Sequence, residues 1–280
     1  MPYLGAILPA GFAGGHGSSA VIGSLFTKKG YVEVFSLAMM MATIGSFFSL
    51  FGGLLWIKGH KRTKSVSSVH ESSTFFPSLN IVSLFIFVMG MSFLLKLALN
   101  KILFFDIPML ATGVVSGLII RFLIKRICPK KIEVDNFVSI TTSILVCLGI
   151  GAIKIYIIEK YLFLITVLSL FSLVCSILIF RYVGLRTLGE NSFEKSLFTW
   201  GWSTGGIVFG LSLVEIVKDR MNASLLQVLA ISYLLISPIE ISLILTMPSL
   251  LLTGLGQYIG ICLLFVALLI LVSMLRKAPK

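Results

Sequence analysis

Long apolar runs, separated by short polar or basic segments, dominate the sequence. Seven of these runs have about the 20 residues that a helix needs to cross the hydrocarbon core of a bilayer. They cover residues 32–57, 79–99, 108–124, 137–158, 162–183, 225–250 and 255–275. The pattern therefore predicts an all-α fold, that of a polytopic transmembrane helical protein.

Two further apolar stretches, residues 3–26 and 197–217, are interrupted by glycine and hydroxyl residues. The first contains GFAGGHGSS at residues 11–19 and the second contains GWSTGG at residues 201–206. Non-helical backbone at membrane depth is tolerated only where protein buries it or where it lines a water-filled cavity. A pair of such interruptions is typical of the binding site of a transporter. Both stretches are predicted to be re-entrant glycine-rich hairpins, which enter and leave the membrane on the same side.

The composition agrees with a membrane protein. Of the 280 residues, 57% are hydrophobic and 12% are charged, whereas soluble domains carry about 25% charged residues. The net charge of +12 would suggest nucleic acid in a soluble protein. Here the basic residues lie beside apolar spans, where membrane topology explains them, so we expect the lipid bilayer and not nucleic acid as a partner. The four cysteines show no metal-ligand spacing.

The distribution of basic residues favours the re-entrant interpretation. If residues 58–78 are cytoplasmic and 197–217 are re-entrant, most of the 23 Lys and Arg residues fall on the cytoplasmic side. A full crossing by residues 197–217 would place the basic C-terminal tail outside. The first hairpin then dips from the outside and the second from the inside, which is the inverted relation of transporter repeats.

The two predicted halves have unequal lengths. Four predicted helices, between residues 79 and 183, come between the linker and the second hairpin, and none precedes the first hairpin. Because inverted repeats have matching halves, we expect about four helices upstream of Met1, removed by truncation or supplied by a partner polypeptide. The predicted division is residues 1–57 as the end of the first repeat (re-entrant loop plus one helix), 58–78 as a cytoplasmic linker, 79–253 as the second repeat (four helices, re-entrant loop, one helix), and 254–280 as an additional helix with a basic tail.

Three motifs resemble the bacterial sodium/glutamate symporter family: AGFAGGHGSSAVIG at residues 10–23, ATIG at residues 42–45, and STGGIVFGLSLVEIVKD at residues 203–219. The family usually has Thr after GGHG, where this chain has Ser18. The resemblance extends to about residue 252, without the family's first four helices and with the span 255–275 as an addition. It implies an inverted-repeat transporter fold, a multi-pass protein of the cell inner membrane, sodium-coupled uptake of L-glutamate, homodimerisation and an elevator-like movement.

The candidate binding residues lie in the two glycine runs. A dicarboxylate at the midplane needs hydrogen-bond donors, and no Arg lies in the middle of a predicted span. Backbone N–H groups at broken helix ends and nearby hydroxyls can supply the donors, and glycine lets the backbone approach the ligand. His16 is open to three interpretations: ligand group, proton acceptor or hydrogen-bonded loop residue. The predicted substrate-binding residues are Gly14, Gly15, His16, Gly17, Ser18, Ser19, Ser203, Thr204, Gly205 and Gly206.

Glu240 is the most informative charge inside a predicted span. It follows Pro238 near the middle of residues 225–250, where an unpaired carboxylate costs several kcal/mol. A bound cation would offset that cost, so Glu240 is predicted to be a Na⁺ ligand or coupling carboxylate. The alternative is a protonated, hydrogen-bonded structural acid. Na⁺ acts here as a coupling ion, and no other cofactor is expected.

Three alternatives to a sodium:glutamate symporter remain open. One is a truncated, transport-inactive member of the family. Another is a carrier of a different dicarboxylate or anion. The third is an enzyme, because HGSS suggests a Ser–His hydrolase. No acid lies near that motif and no nucleophile elbow is present, so no enzymatic activity and no catalytic residue is expected.

Overall fold

The computed structural model describes residues 3–60, 79–103, 109–127, 135–217 and 223–277. These residues are helical, with short turns between helices and no strand among them. Five helices are long and apolar enough to cross a membrane: Glu33–Gly59, Ile81–Lys101, Ile155–Thr187, Gln227–Leu252 and Gly256–Ser273. The prediction of a polytopic helical membrane protein is confirmed at this level.

The helices follow one another with short connections. Two π-helical turns, Leu8–Ala13 and Ile179–Gly184, continue α1 and α7 respectively. The α-helices are α1 Leu4–Ile7, α2 Gly15–Lys28, α3 Glu33–Gly59, α4 Leu79–Leu103, α5 Met109–Ile127, α6 Asp135–Gly151, α7 Ile155–Leu178, α8 Leu185–Thr187, α9 Ser192–Gly205, α10 Ile207–Val217, α11 Ala223–Leu252 and α12 Gly256–Lys277.

One predicted boundary is wrong. The sequence pattern placed a turn between residues 158 and 162, but α6 ends at Gly151 and α7 begins at Ile155. Lys154 between them has an extended backbone, with φ −87° and ψ 123°. The charged Lys160 lies within α7, and its Nζ pairs with Glu33 of α3 at 2.8 Å. That ion pair removes the reason to end a span there. Residues 61–78, most of the predicted linker, lie outside the described residues.

The chain divides into two compact units, one of residues 68–145 and one of the rest. In the smaller unit, α4 packs against α5, and the buried hydroxyls of Ser92 and Thr112 are hydrogen-bonded at 3.0 Å. The Phe85 and Phe137 rings also meet there, with centroids 5.0 Å apart. The predicted division into repeats stays a prediction.

In the larger unit, α3 is the central helix. The structure buries 61% of its apolar window, against 6–22% for the other four long helices. The neighbouring α7 runs in the same direction, because Tyr161 bonds Glu33 at one end and Phe180 stacks on Trp56 at the other. Next to the N-terminal end of α3, Lys29 donates to Ser249 in the last turn of α11.

The predicted stretch 3–26 folds back on itself. Its first arm is Leu4–Ala13 and its second is α2. The Tyr3 ring at the start lies 6.4 Å from that of Phe26 near the end, which a continuous helix between them would prevent. Pro9 opens the π-helical turn, where its missing N–H interrupts the regular hydrogen-bond ladder. We call residues 4–28 the first hairpin.

The predicted stretch 197–217 also folds back, although its first arm begins earlier, at Ser192. Helices α9 and α10 turn at Gly206, whose φ of 107° is in the left-handed region. They pack so closely that a Cβ atom on Gly201 would collide with Gly210. Leu213 of α10 is fully buried against Leu197 and Trp200 of α9. We call residues 192–217 the second hairpin.

The packing of the second hairpin predicts the effect of a larger side chain at Gly201. Gly201→Val should destabilise the protein by about 1–3 kcal/mol, because the added atoms overlap the backbone of α10. Thermal unfolding of purified protein in detergent measures this. Gly260→Val is the matched control, because no atom lies within 4 Å of a Cβ at Gly260. Equal melting temperatures of the two variants would contradict the close packing of α9 on α10.

Candidate binding site at the hairpin tips

The two hairpins approach each other from opposite ends of α3. At the N-terminal end, the hydroxyl of Tyr3, the residue just before the first hairpin, is hydrogen-bonded to Tyr161, which also bonds Glu33. At the C-terminal end, Phe193 of the second hairpin stacks on His60, with ring centroids 3.8 Å apart. The hairpin tips, residues 12–15 and 204–206, therefore point towards each other along α3.

The tips meet at Gly45, near the middle of the 27 residues of α3. A Cβ atom on Gly45 would collide with the carbonyl oxygen of Thr204 and lie 2.6 Å from that of Phe12. A Cβ on Gly15 would lie 2.7 Å from the carbonyl oxygen of Gly205. Three backbone segments thus touch at one place, and they do so because glycine carries no side chain.

Each tip joins two opposite helix ends. Gly15 has a φ of 70° and Gly206 a φ of 107°, backbone conformations that glycine adopts without strain. Before each turn an arm ends with carbonyl groups, and after it a helix, α2 or α10, begins with N–H groups that lack intrahelical acceptors. The N-terminal ends carry positive partial charge and the C-terminal ends negative partial charge. Such a junction suits an anionic group beside a cation.

His16 is held by a hydrogen-bond chain to α3. Its side chain is 4% exposed, and its Nε2 lies 3.2 Å from the Oγ1 of Thr43. The Thr43 hydroxyl donates to the carbonyl of Met39 at 3.0 Å. If the Thr43 hydroxyl gives its one proton to Met39, the Nε2–H of His16 is the donor to Thr43. The structure thus assigns His16 a hydrogen-bonded position, and a ligand role for its other ring nitrogen stays a prediction.

Most of the predicted hydroxyl donors are already used. Ser19 donates to the carbonyl of Ala38 at 2.9 Å. Thr204 and Ser203 both donate to the carbonyl of Trp200, at 2.7 Å and 3.2 Å. In this arrangement these three side chains offer a ligand only acceptor lone pairs. Donors to a bound carboxylate would then come mainly from the backbone.

Gly14, Gly17, Gly206 and Ser18 are the remaining predicted residues of the two glycine runs. The half-buried Ser18 lies against Gly14, where a Cβ atom would be 2.6 Å from that of Ser18. A Cβ on Gly206 would lie 3.9 Å from the carbonyl oxygen of Gly14. Gly17 has open space beside it, with no atom within 4 Å of a Cβ position. Gly14, Gly15, Gly205 and Gly206 are therefore brought together, and Gly17 makes no such contact.

Glu240 lies beside the arms of the first hairpin. It lines a cavity of about 100 Å³ whose other lining side chains are apolar: Ala6, Pro9, Ala10, Ile22, Leu243, Ile244 and Met247. Among the described residues, no group of three or more His, Cys, Asp or Glu side chains could hold a metal ion. The Glu240 carboxylate is thus the one polar side chain of this cavity, and its role as a Na⁺ ligand stays a prediction.

Small residues on α3 hold the hairpins against it, which is the packing role expected of glycines in membrane helices. Gly45, Gly52 and Gly53 are packing positions: a Cβ on Gly52 would collide with Trp200, and one on Gly53 would lie 2.5 Å from Leu213. Ser49 of the same face donates to the carbonyl of Gly201 at 3.3 Å. Gly45, Ser49 and Gly52 recur at the spacing of one helix face.

No protein-family model, curated protein or solved structure matches the chain.

The contact at Gly45 predicts that replacing glycine with alanine changes the stability differently at two positions of α3. Gly45→Ala should destabilise the protein by about 1–3 kcal/mol, because its methyl group forces both tips away. Gly59→Ala, with no atom within 4 Å of its Cβ, should be neutral or stabilising by up to about 1 kcal/mol. Melting temperatures in detergent compare the two. A neutral Gly45→Ala would show that the tips do not touch α3 there.

Proposed function

We propose that this protein is a sodium-coupled symporter that takes up L-glutamate across the cell inner membrane, with its substrate site at the two hairpin tips. The observation that supports this most is the meeting of both tips at Gly45. Transporters of the discontinuous-helix type bind their substrates between such broken helices, near the bilayer midplane.

The dimensions support re-entrant hairpins. The longest arms, α2 and α9, have 14 residues each, which is about 21 Å of helix. A hydrocarbon core of about 30 Å is too thick for them to cross. Because the bases of the hairpins lie at opposite ends of α3, a membrane-crossing α3 would bring the hairpins in from opposite faces. The tips would then lie near the midplane, where alternating access needs a site.

The chemistry of the tips supports an anionic substrate. Two helix N-termini, those of α2 and α10, begin at the junction and present backbone N–H groups. The carbonyl groups of the preceding arms favour a cation beside the anion, which is the arrangement a sodium-coupled amino-acid carrier uses. Selectivity for L-glutamate over another dicarboxylate rests on the motif resemblance alone. A carrier of a different anion is therefore the second candidate, and homodimerisation belongs to the proposal on the same ground.

Uptake by purified protein in proteoliposomes tests the proposal. An inward Na⁺ gradient should drive accumulation of labelled L-glutamate, and replacing Na⁺ with choline should abolish it. Gly15→Val should abolish uptake while leaving membrane insertion intact, because the side chain strains the left-handed backbone and collides with the second tip. Gly260→Val, at an open position of α12, is the control with normal uptake.

The possible results separate the candidates. Uptake that is unaffected by removal of Na⁺ would contradict sodium coupling. Strong inhibition by another dicarboxylate, with weak inhibition by unlabelled L-glutamate, would favour the second candidate. Normal uptake by Gly15→Val would remove the substrate from the hairpin tips. No uptake by inserted, folded protein would favour the transport-inactive family member.

A further inference from the structure

Two exposed arginines, Arg181 and Arg186, lie where the π-helical turn that continues α7 leads into α8. On the other side of this turn Phe180 and Gly184 are buried. The N–H of Leu185 bonds the carbonyl of Phe180, five residues earlier, so a turn here takes more residues than an α-helical turn. Residues five apart, such as the two arginines, therefore lie closer to one face than they would in an α-helix.

A tyrosine lies beside these arginines and contacts one of them. The guanidinium carbon of Arg186 is 5.3 Å from the centroid of the Tyr182 ring, which is a cation–π contact. The Tyr182 side chain is itself exposed. In the part of the chain that the structure describes, neither arginine has a carboxylate within ion-pair distance. Two positive charges and an aromatic ring therefore share one exposed surface.

The length of the helix places this surface at the edge of the membrane. The apolar helix Ile155–Thr187 contains Lys160 near its start, and about 30 Å of helix separates Lys160 from Arg181. This length matches the hydrocarbon core of a bilayer. Because a charge inside that core is costly, Lys160 belongs at one membrane surface and Arg181 at the other. Arg186 then lies about one turn further out, at the level of the lipid phosphates.

Helix α12 reaches the same membrane surface. It begins just after the last turn of α11, where Ser249 accepts a hydrogen bond from Lys29 near the N-terminal end of α3. From there α12 runs for about 33 Å, and it packs against the π-helical turn and α8. The last turn of α12 contains Arg276 and Lys277. The two arginines of α7 and α8 thus have a second basic helix end as a neighbour.

We infer that Arg181, Tyr182 and Arg186 form a binding site for the headgroup of an anionic phospholipid, bordered by the last turn of α12. Guanidinium groups bind phosphate through paired hydrogen bonds. A basic surface at this depth favours a headgroup of net negative charge over a zwitterionic one. The acyl chains would lie along the exposed side chains of Leu178 and Ile179, one turn deeper in the membrane. The inference goes beyond the proposed function, because the lipid partner does not depend on which substrate is carried.

The bound lipid also attaches α12 to the rest of the protein. Only 6% of the apolar window of α12 is buried, so few protein contacts hold this helix. A phospholipid beside α12 and the end of α7 adds contacts with both. Because the lipid binds the folded arrangement of the two helices, it stabilises that arrangement.

Native mass spectrometry of the purified full chain in neutral detergent tests the site directly. Dioleoylphosphatidylglycerol is the anionic probe and dioleoylphosphatidylcholine the zwitterionic comparison. The wild-type protein should bind the anionic lipid with a dissociation constant about fivefold lower or better. The double variant Arg181→Gln, Arg186→Gln should raise the dissociation constant of the anionic lipid by about tenfold or more.

A second double variant, Lys28→Gln, Lys101→Gln, is the matched control. It removes the same charge from exposed positions at the ends of α2 and α4. Its affinity for the anionic lipid should equal that of the wild-type protein.

Each result has one meaning. Weaker binding of the anionic lipid by the arginine variant, with wild-type binding by the lysine variant, supports the site. Equal affinity of the wild-type protein for both lipids overturns it, and so does wild-type affinity in the arginine variant. Equal losses in both double variants show a general effect of charge and also overturn it. Displacement of the lipid by an equal concentration of glycerol 3-phosphate would make the ligand a soluble phosphate ester and overturn the lipid site. The measurement needs no transport, so failure of glutamate uptake leaves its result intact.

Discussion

The close approach of two hairpin tips to Gly45 is the constraint on which the rest of this structure depends. Backbone carbonyls of Phe12 and Thr204 lie where a side chain at position 45 would have to be. Had α3 carried a larger residue there, the tips could not touch it, and the helix ends at Gly15 and Gly206 would lie apart. The clustering of polar backbone at the tips follows from this contact, whereas contacts at the two ends of α3 set the direction of each hairpin.

The same contact explains how an apolar protein builds a polar site without many charged residues. Each tip combines the carbonyl end of one helical arm with the N–H end of the next, so the partial charges of four helix ends meet beside the middle of α3. Side chains mostly hold this backbone in place: Ser49 bonds the carbonyl of Gly201, and Ser19 bonds that of Ala38. Opposite insertion of the two hairpins would let one junction face either side of the membrane.

The sequence was sufficient for the helical class, for every long apolar helix and for the two interrupted stretches, because hydrophobic length and glycine density are local signals. It was insufficient for the boundary between α6 and α7. The charge of Lys160 suggested the end of a span, but Lys160 pairs with Glu33, a residue far away in the chain. The predicted donor Ser19 bonds the carbonyl of Ala38 in another helix, which depends on tertiary packing. Thr204 instead bonds the carbonyl of Trp200 one turn earlier in its own helix.

Single-cysteine labelling from each side of the membrane tests the central claim, opposite entry of the two hairpins, most directly. In a chain whose four native cysteines are replaced by serine, exposed positions flank each hairpin: Gly5 and Lys28 for the first, Glu190 and Glu215 for the second. A membrane-impermeant thiol reagent should label Gly5→Cys and Lys28→Cys when it is applied from outside. It should label Glu190→Cys and Glu215→Cys only when it is applied from the cytoplasmic face. Labelling of the two flanks of either hairpin from different faces, or of all four positions from one face, would contradict the account.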